Sequence, residues 1–315
     1  MTELGRVVVL AGGLSHERDV SLRSGGRVAE ELRDRALQVE VRDADAAFVA
    51  AAADDPPDVV LPLLHGAQGE DGSLRTVLEM LGLAYVGTEP RASRTAFDKP
   101  TANGVVAAAG LTVPRSVVLP HATFRDLGAD ALLAGAVHAL GLPLAVQPAR
   151  GGSALGASIV TEAADLPSAM VGCFAYGEDA LLQSFAAGTE VAVSVIDTGD
   201  GPVALPPVEI VPDGPFYDYQ ARYTAGATEF FVPARLDDAV LDAVSHAAVT
   251  AHRALGLRDM SRSDVIVGDD GAVTWLEANV APGMTETSLF PLAVAGAGLT
   301  LGGVVEGLLR RAAAR

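Results

Sequence analysis

Two acidic side chains near the end of the chain have the spacing of a metal site on a β-hairpin. Two apolar, β-prone runs, residues 265–267 and 273–276, flank a turn cluster centred on residues 270–271, an Asp-Gly pair. Asp-Gly is favoured in two-residue type I′ hairpin turns. Such a turn places Asp264 directly opposite Glu277. Because side chains alternate faces with period two, the same register predicts which other side chains share their face. These are Arg262, Ile266, Trp275 and Asn279.

Opposed carboxylates repel each other in a purely structural hairpin, whereas a bound cation makes the pair favourable. The oxygen atoms of Asp264, Glu277 and Asn279 suit a hard ion such as Mg²⁺, which keeps some water ligands and binds substrate phosphates. Arg262 then lies beside the metal as a fixed positive charge. A solvated polar face remains the alternative interpretation of the same four residues.

Composition bounds the class of protein. The chain has 315 residues, 50% of them hydrophobic and 20% charged, which predicts a folded protein of two or three domains. A net charge of −18 makes nucleic acid a poor candidate partner. A single cysteine, Cys173, excludes an intrachain disulfide framework. No signal peptide is expected, because the N-terminal apolar run at residues 7–11 is short and followed by charge. No spanning helix is expected either, because the longest late apolar stretch, residues 292–305, is short and interrupted by glycines. We therefore expect a cytoplasmic protein without a membrane partner.

The first 90 residues alternate strand and helix patterns, which predicts an α/β domain with a doubly wound parallel sheet. The apolar strand at residues 6–10 leads into a glycine turn, and the strand at 58–64 ends at His65-Gly66. Ligands in open α/β sheets bind beyond the carboxyl ends of the strands. Glu17 follows the first strand as His65 follows the later one, so both loops are predicted to open at the same sheet edge. A lone histidine is, however, more often structural.

Three further features point to a nucleotide. A glycine-rich loop at residues 149–158 joins two predicted strands and offers backbone N–H groups to a phosphate. Of the 22 basic residues only Lys99 is a lysine, and it stands at a predicted helix boundary before Pro100. The segment 215–226 is long and rich in aromatic residues, as functional lids often are.

Four motifs stand in order along essentially the whole chain: Gly12-Gly13-x-Ser15-x-Glu17-x-x-x-Ser21, His65-Gly66-x-x-Gly69-Glu70-Asp71-Gly72, Phe216-Tyr217-Asp218-Tyr219-x-Ala221-x-Tyr223 and Glu277-Ala278-Asn279-x-x-Pro282-Gly283-Met284-Thr285-x-x-Ser288-Leu289. Together they resemble the D-alanine–D-alanine ligase family of ATP-grasp enzymes. The resemblance implies a three-domain ATP-grasp fold, α/β overall with α+β character in the ATP-binding half. The expected divisions are a Rossmann-like substrate domain at 1–90, a central ATP-grasp subdomain at 91–182, and a C-terminal subdomain with lid and metal site at 183–315.

The resemblance also implies an activity. The family joins two D-alanine molecules through a D-alanyl phosphate, with ATP and Mg²⁺ (Mn²⁺ is the alternative metal), for peptidoglycan precursor synthesis. The expected partners are these small molecules and a second copy of the chain, since the family is commonly dimeric.

Residue roles follow by motif position. Glu17 would bind the ammonium of the first D-alanine, with His65 near its carboxyl end. The implied catalytic group further comprises Ser153, Tyr223, Arg262 and Gly283. The residues expected at the second D-alanine are Ser288 and Leu289. The nucleotide residues implied are Lys99, Gln147, Gln183, Phe185, Ala186, Glu190 and Arg222. The implied metal ligands are Asp264, Glu277 and Asn279.

Some positions depart from the family pattern. Gln147 replaces a second phosphate-contacting lysine, and a neutral amide brings no charge. The sequence therefore predicts weaker ATP binding, unless Arg150, Arg222 or another group fills that role. Arg222 replaces the lid lysine and keeps its charge. The pair Gln183-Ser184 replaces a charged pair on the adenine side.

These departures keep two alternatives open. One is an ATP-grasp ligase that makes a D-alanyl-D-X product or another amide, against which Tyr223 argues because depsipeptide-forming relatives carry a different lid residue. The other is a catalytically impaired nucleotide-binding paralogue with a regulatory role. The intact acidic and arginine set on the hairpin argues against impairment.

Overall fold

The computed structural model describes residues 4–177, 179–214, 217, 221–222, 224 and 226–315. Within these residues the strands form three separate sheets, one parallel and two antiparallel. Tyr223 and much of the predicted lid motif lie outside the described residues. The division of the chain into three domains stays a prediction.

The N-terminal part is a small parallel sheet with helices. Its elements are β1 (Arg6–Leu10), α1 (Arg18–Arg33), β2 (Gln38–Arg42), α2 (Ala46–Asp54), β3 (Val59–Pro62), α3 (Ala67–Glu70) and α4 (Ser73–Met80). The strand order is β2-β1-β3. Beyond β3, the sheet is extended only by one parallel bridge, between Tyr85 and Val60, among the described residues. Because β1 and β3 are parallel neighbours, the loops that follow them open at the same edge, as predicted.

The middle part is a four-stranded antiparallel sheet. Its elements are α5 (Pro90–Phe97), α6 (Lys99–Ala108), β4 (Ser116–Pro120), α7 (His121–Leu127), α8 (Ala129–Leu140), β5 (Leu144–Pro148), β6 (Ser158–Val160), a 3₁₀ turn (Ala163–Asp165), α9 (Leu166–Phe174) and β7 (Asp179–Ser184). The strand order is β4-β7-β5-β6. Lys99 begins a helix, as the proline after it predicted. Helices α7 and α8 are separated by Gly128, which adopts a φ of +82°.

The C-terminal part is a larger antiparallel sheet with one helix across its back. Its elements are β8 (Thr189–Ile196), β9 (Val203–Ala204), β10 (Val208–Pro212), β11 (Thr228–Phe231), α10 (Asp238–Ala254), β12 (Met260–Val267), β13 (Val273–Asn279), α11 (Leu289–Gly296) and α12 (Leu301–Ala313). The order is β11-β10-β8-β12-β13, with β9 on β8. Val191, Val265 and Trp275 pack with the buried face of α10. The opposite face packs apolar residues such as Ala192 against α11 and carries polar groups such as Asp264 beside them.

The hairpin of β12 and β13 confirms the pairing of the charged residues, but not the predicted turn. Asp264 is opposite Glu277 and Arg262 is opposite Asn279. The turn contains residues 268–272 instead of two residues. Gly271 adopts a φ of +77° in this turn. The turn closes on its own hydrogen bonds, one of which runs from the N–H of Ala272 to the Asp270 carboxylate. A β-bulge between Trp275 and Glu277 then restores the predicted register at the charged end.

The same bulge overturns the prediction for Trp275. This side chain is opposite Val265, not on the face of Asp264, and its indole N–H donates to Ser263 Oγ at 3.1 Å. Ile266, by contrast, shares a cavity with Asp264 as predicted. One extra residue in a strand inverts the faces beyond it, so the tryptophan belongs to the core behind the sheet.

No single helix among the described residues is both long and apolar enough to cross a membrane. Helices α11 and α12 meet such a criterion only when they are joined, and a bend of 101° separates them.

Candidate active site

Two adjoining cavities lie on the face of the C-terminal sheet that carries Arg262 and Asp264. The nucleotide cavity, as we name the first, lies between this sheet and β5–β7. All seven predicted nucleotide residues line it: Lys99, Gln147, Gln183, Phe185, Ala186, Glu190 and Arg222. The amino-acid cavity, the second, lies between the sheet and the loops after β1 and β3. The predicted substrate and catalytic residues within the described chain line it: Glu17, His65, Ser153, Arg262, Gly283, Ser288 and Leu289.

The two cavities share a wall. Six residues line both of them: Lys99, Gly151, Gly152, Tyr217, Arg222 and Glu277. Two cations and a carboxylate therefore lie where a group could pass from one ligand to the other. The structure brings the predicted residues together, while the role of each one stays a prediction.

Lys99 holds the shared wall together. Its side chain is buried, and its Nζ donates to the carbonyl oxygen of Gly151 at 2.7 Å and lies 3.1 Å from Glu277 Oε2. Burial by itself would raise the pKa of Glu277, but the charges of Lys99, Arg222 and Arg262 lower it below its usual value. Glu277 is therefore ionised at neutral pH.

The predicted metal ligands carry partners in this structure. Asp264 accepts two hydrogen bonds from Arg262, at 2.7 and 2.8 Å, and Asn279 Oδ1 accepts the N–H of Ala281 at 2.8 Å. Among the described residues no three His, Cys, Asp or Glu side chains form a ready metal group. The opposed oxygen donors of Asp264 and Glu277 nevertheless fit a hard divalent cation, provided that they turn from Arg262 and Lys99 towards it.

Glu17 lies at the start of α1, buried, where the loop after β1 meets the glycine loop. Ser153 Oγ donates a hydrogen bond to Glu17 Oε1. A side chain on Gly66, whose φ is +72°, would begin only 3.1 Å from Glu17 Oε2. Glycine at this position leaves the carboxylate room to face the amino-acid cavity.

His65 follows β3 and is held as a neutral imidazole. Burial lowers its pKa, and this effect, aided by Arg262, outweighs the raising effects of Glu17 and the Ala281 carbonyl. Nδ1 lies 3.1 Å from the carbonyl oxygen of Ala281, so Nδ1 carries the proton and donates it. Nε2 is buried and, among the described residues, has no hydrogen-bond partner. This lone pair can accept a hydrogen bond from a substrate.

Glu70 is a buried carboxyl group to which the sequence assigned no role. Its Oε1 accepts the N–H of Gly66 at 2.7 Å, and it lines the amino-acid cavity beside Glu17. Burial and the charge of Glu17 raise the pKa of Glu70 to about 8. It is therefore protonated over much of the neutral range, and the motif that contains it gave no sign of this because the cause is three-dimensional burial.

The loop before α11 completes the amino-acid cavity. Ser288 Oγ lies 2.8 Å from Thr285 Oγ1 and accepts the N–H of Thr285 at 3.0 Å. A side chain on Gly283 would begin 2.8 Å from Ser288 Oγ. Because residue 283 is a glycine, its backbone can lie close to the Ser288 hydroxyl.

Two departures from the family pattern contact each other. Gln147 Nε2 donates to Gln183 Oε1 at 2.8 Å, across β5 and β7. Gln183 is buried, and its Nε2 has no partner among the described residues. The two neutral amides thus form one unit on the wall of the nucleotide cavity, opposite Glu190. Burial raises the pKa of Glu190 to about 7, against the lowering effect of Arg222.

Tyr217 is the residue of the lid motif that sequence analysis left without a function. It is buried, it lines both cavities, and its ring lies under the guanidinium of Arg222. Only the motif spacing could have suggested this contact, because five positions separate the two residues and no regular element was predicted there.

Family models and curated relatives both match this chain to D-alanine–D-alanine ligases. The protein-family model described as "D-ala D-ala ligase C-terminus" matches residues 105–310, and "D-ala D-ala ligase N-terminus" matches residues 42–88. The D-alanine–D-alanine ligase of Anaeromyxobacter dehalogenans is 40% identical over 98% of this chain and 97% of its own length. That of Moorella thermoacetica is 37% identical over 96% of this chain and 97% of its own.

Solved structures are similar over nearly the full length. The VanG D-Ala:D-Ser ligase of Enterococcus faecalis has a TM-score of 0.84 at 26% identity, covering 98% of this chain and 100% of its own. The D-alanine–D-alanine ligase of Bacillus anthracis complexed with ATP has a TM-score of 0.80 at 26% identity, covering 99% and 97%.

Proposed function

This chain belongs to the D-alanine–D-alanine ligase family, and from that membership we propose that it joins two D-alanine molecules to D-alanyl-D-alanine with ATP. The predicted fold class, α/β of the ATP-grasp type, is confirmed by the similar structures. The observation that carries the proposal is the shared wall of the two cavities. Lys99, Arg222 and the glycine loop face both a nucleotide site and an amino-acid site there.

The first step is activation of a carboxylate. One carboxylate oxygen of the first D-alanine attacks the γ-phosphorus of ATP, and the bond to the β-γ bridging oxygen breaks to release ADP. Lys99 and Arg222, which line the shared wall, screen the negative charges that would otherwise repel each other. Glu17 binds the ammonium of this D-alanine, which holds its carboxylate towards the wall.

The second step forms the amide. The ammonium of the second D-alanine loses one proton to solvent and attacks the acyl carbon as the free amine. The C–O bond to phosphate then breaks in the tetrahedral intermediate, and inorganic phosphate leaves with the second proton from nitrogen. Arg262 and the N–H of Gly283 stabilise the oxyanion, and Ser288 and Leu289 position the second substrate. The neutral His65, whose Nε2 has no partner among the described residues, lies near the carboxyl end of the first D-alanine.

Asp264, Glu277 and Asn279 would hold Mg²⁺, which supplies charge neutralisation for the phosphates when bound. Glu190 binds the ribose, and residues 183–186 line the adenine. We place the reaction in the cytoplasm, where ATP is available, with the dipeptide serving peptidoglycan synthesis. The lid that excludes water from the acyl phosphate contains Tyr217 and Arg222.

A panel of amino acids tests the proposal. Purified protein with Mg-ATP should release phosphate with D-alanine and remain at background with L-alanine. The same assay distinguishes the second candidate, a D-alanyl-D-X ligase, which the similarity to the VanG D-Ala:D-Ser ligase favours. If D-alanine alone gives background release and D-alanine with D-serine gives rapid release, the second candidate replaces the first.

A further inference from the structure

Among the described residues that line the nucleotide cavity, one cation is not already held by a carboxylate. Lys99 is paired with Glu277, whereas Arg222 has no carboxylate within 4.0 Å among the described residues. Arg150 was an alternative source of charge, but its guanidinium pairs with Asp98 at 2.8 Å and does not line this cavity. Of Arg150 and Arg222, it is Arg222 that is available to an incoming phosphate.

Among the described residues, Tyr217 is the one that orients the guanidinium of Arg222. Its Cζ lies 4.4 Å from the centroid of the Tyr217 ring, and its Nε donates to the carbonyl oxygen of Tyr217 at 3.3 Å. Tyr217 is itself fixed, because it is only 6% exposed and meets Phe230 edge-on with the ring centroids 6.2 Å apart. The ring and the carbonyl together define the plane of the guanidinium.

This arrangement is suited to an arginine and would not orient a lysine in the same way. A guanidinium can stack flat on an aromatic ring while its remaining N–H groups point outwards as a fork for two phosphate oxygens. On the opposite wall Gln147 carries no charge, and its Nε2 already donates a hydrogen bond to Gln183 Oε1. The positive charge that a lysine at position 147 would offer to the phosphates must therefore come from another residue.

We propose that Tyr217 is a positioning residue for Arg222, and that this stacked pair supplies the phosphate charge that Gln147 lacks. The proposal rests on the proposed function only in taking a nucleoside triphosphate as the ligand of this cavity. It assigns Tyr217 a role in ATP affinity that acts through Arg222.

Binding of Mg-ATP, measured by calorimetry without amino acid, tests the proposal apart from ligase activity. Tyr217→Leu should raise the Kd for Mg-ATP about fivefold or more, because a partly desolvated cation–π contact is lost. Tyr217→Phe keeps the ring and should retain most of the affinity. Adding Gln147→Lys to Tyr217→Leu should restore much of the loss, since it returns a charge to the opposite wall.

The matched control removes a similar stack outside both cavities. Arg235 lies over the ring of Phe231, with Cζ 3.5 Å from its centroid, so Phe231→Leu should leave the Kd for Mg-ATP unchanged. Thermal unfolding of each variant verifies that it is folded. The proposal is overturned if folded Tyr217→Leu binds like the wild type, if Tyr217→Phe loses as much affinity as Tyr217→Leu, or if Gln147→Lys gives no rescue. Wild-type binding of Mg-ATP without D-alanine-dependent phosphate release would instead count against the proposed function alone.

Discussion

The Nζ of Lys99 lies 3.1 Å from Glu277 Oε2, so the only lysine of the chain joins the start of α6 to the acidic hairpin. Its second bond, to the carbonyl oxygen of Gly151, extends this link to the glycine loop. One buried ammonium thus connects the element that would hold the metal with the loop that would cradle the phosphates.

Replacing Lys99 by methionine should lower kcat/KM for ATP about 100-fold or more, because the change removes a buried charge and leaves Glu277 without its partner. Steady-state kinetics at varied ATP measures this. Arg150→Met is the matched control, since it breaks an ion pair in the same loop but outside the nucleotide cavity, and it should cost less than about twofold. Equal losses in the two variants would remove the special role of Lys99.

The metal prediction concerns Asp264. Asp264→Asn should raise the Mg²⁺ concentration for half-maximal activity about tenfold or more, because an amide binds a hard cation more weakly than a carboxylate. Titration with MgCl₂ at fixed ATP gives this value, and a chelator should abolish activity in the wild type. Asp269→Asn, in the exposed turn of the same hairpin, should behave as wild type. An unchanged Mg²⁺ requirement in Asp264→Asn would exclude this residue as a ligand.

The hairpin shows how much of this site the sequence could predict. The opposition of Asp264 and Glu277 followed from strand patterns and an Asp-Gly turn, and the structure confirms it. The turn itself is longer, and a bulge at Leu276 compensates. Local propensity could not reveal this, because strand β12 also pairs along its whole length with β8, whose register holds it independently of the turn.

Contacts between distant segments were beyond sequence reasoning. Gln147 and Gln183 were each recognised as departures from a family pattern, but their hydrogen bond depends on the pairing of β5 with β7, 36 residues apart. The raised pKa of Glu70 likewise arises from burial that no motif encodes. By contrast, the loop positions of Glu17 and His65 followed from the strands before them, because parallel strands place their ends at one edge.

Glu70 should make stability depend on pH. Its pKa of about 8 in the folded protein lies above the ordinary value of 4.5, so the folded state binds the proton more tightly. The stabilising contribution is complete below about pH 4.5 and is lost as pH rises towards 8. Glu70→Gln, which stays neutral, should therefore lose less stability than the wild type between pH 5 and 8.

Urea unfolding across this range measures the Glu70 effect, and the difference between the two proteins isolates it from other titrating groups such as His65. Parallel stability curves for the wild type and Glu70→Gln would show that the Glu70 carboxyl has an ordinary pKa.

Arg315 contacts a buried acid far from both cavities. Its Nη1 and Nη2 donate to the Asp259 carboxylate at 2.7 and 2.8 Å, and Asp259 also accepts the N–H of Gly87. Arg315→Ala should lower the free energy of unfolding by about 1–3 kcal/mol, because Asp259 is fully buried and loses charged hydrogen bonds. Chemical denaturation measures the change.

Arg125→Ala provides the comparison for this stability effect, since it removes an exposed ion pair with Asp126 and should change stability by less than about 0.5 kcal/mol. Similar small effects of both substitutions would show that the Arg315 contact adds nothing to the stability of the fold.

The dipeptide that the protein forms decides between the two candidate activities. The protein is incubated with Mg-ATP and equal concentrations of D-alanine and D-serine, and the products are separated and identified by mass spectrometry. The proposed function predicts D-alanyl-D-alanine as the main product, formed in equal amount with ADP and phosphate. D-alanyl-D-serine as the main product, or ADP formed without any dipeptide, would contradict it.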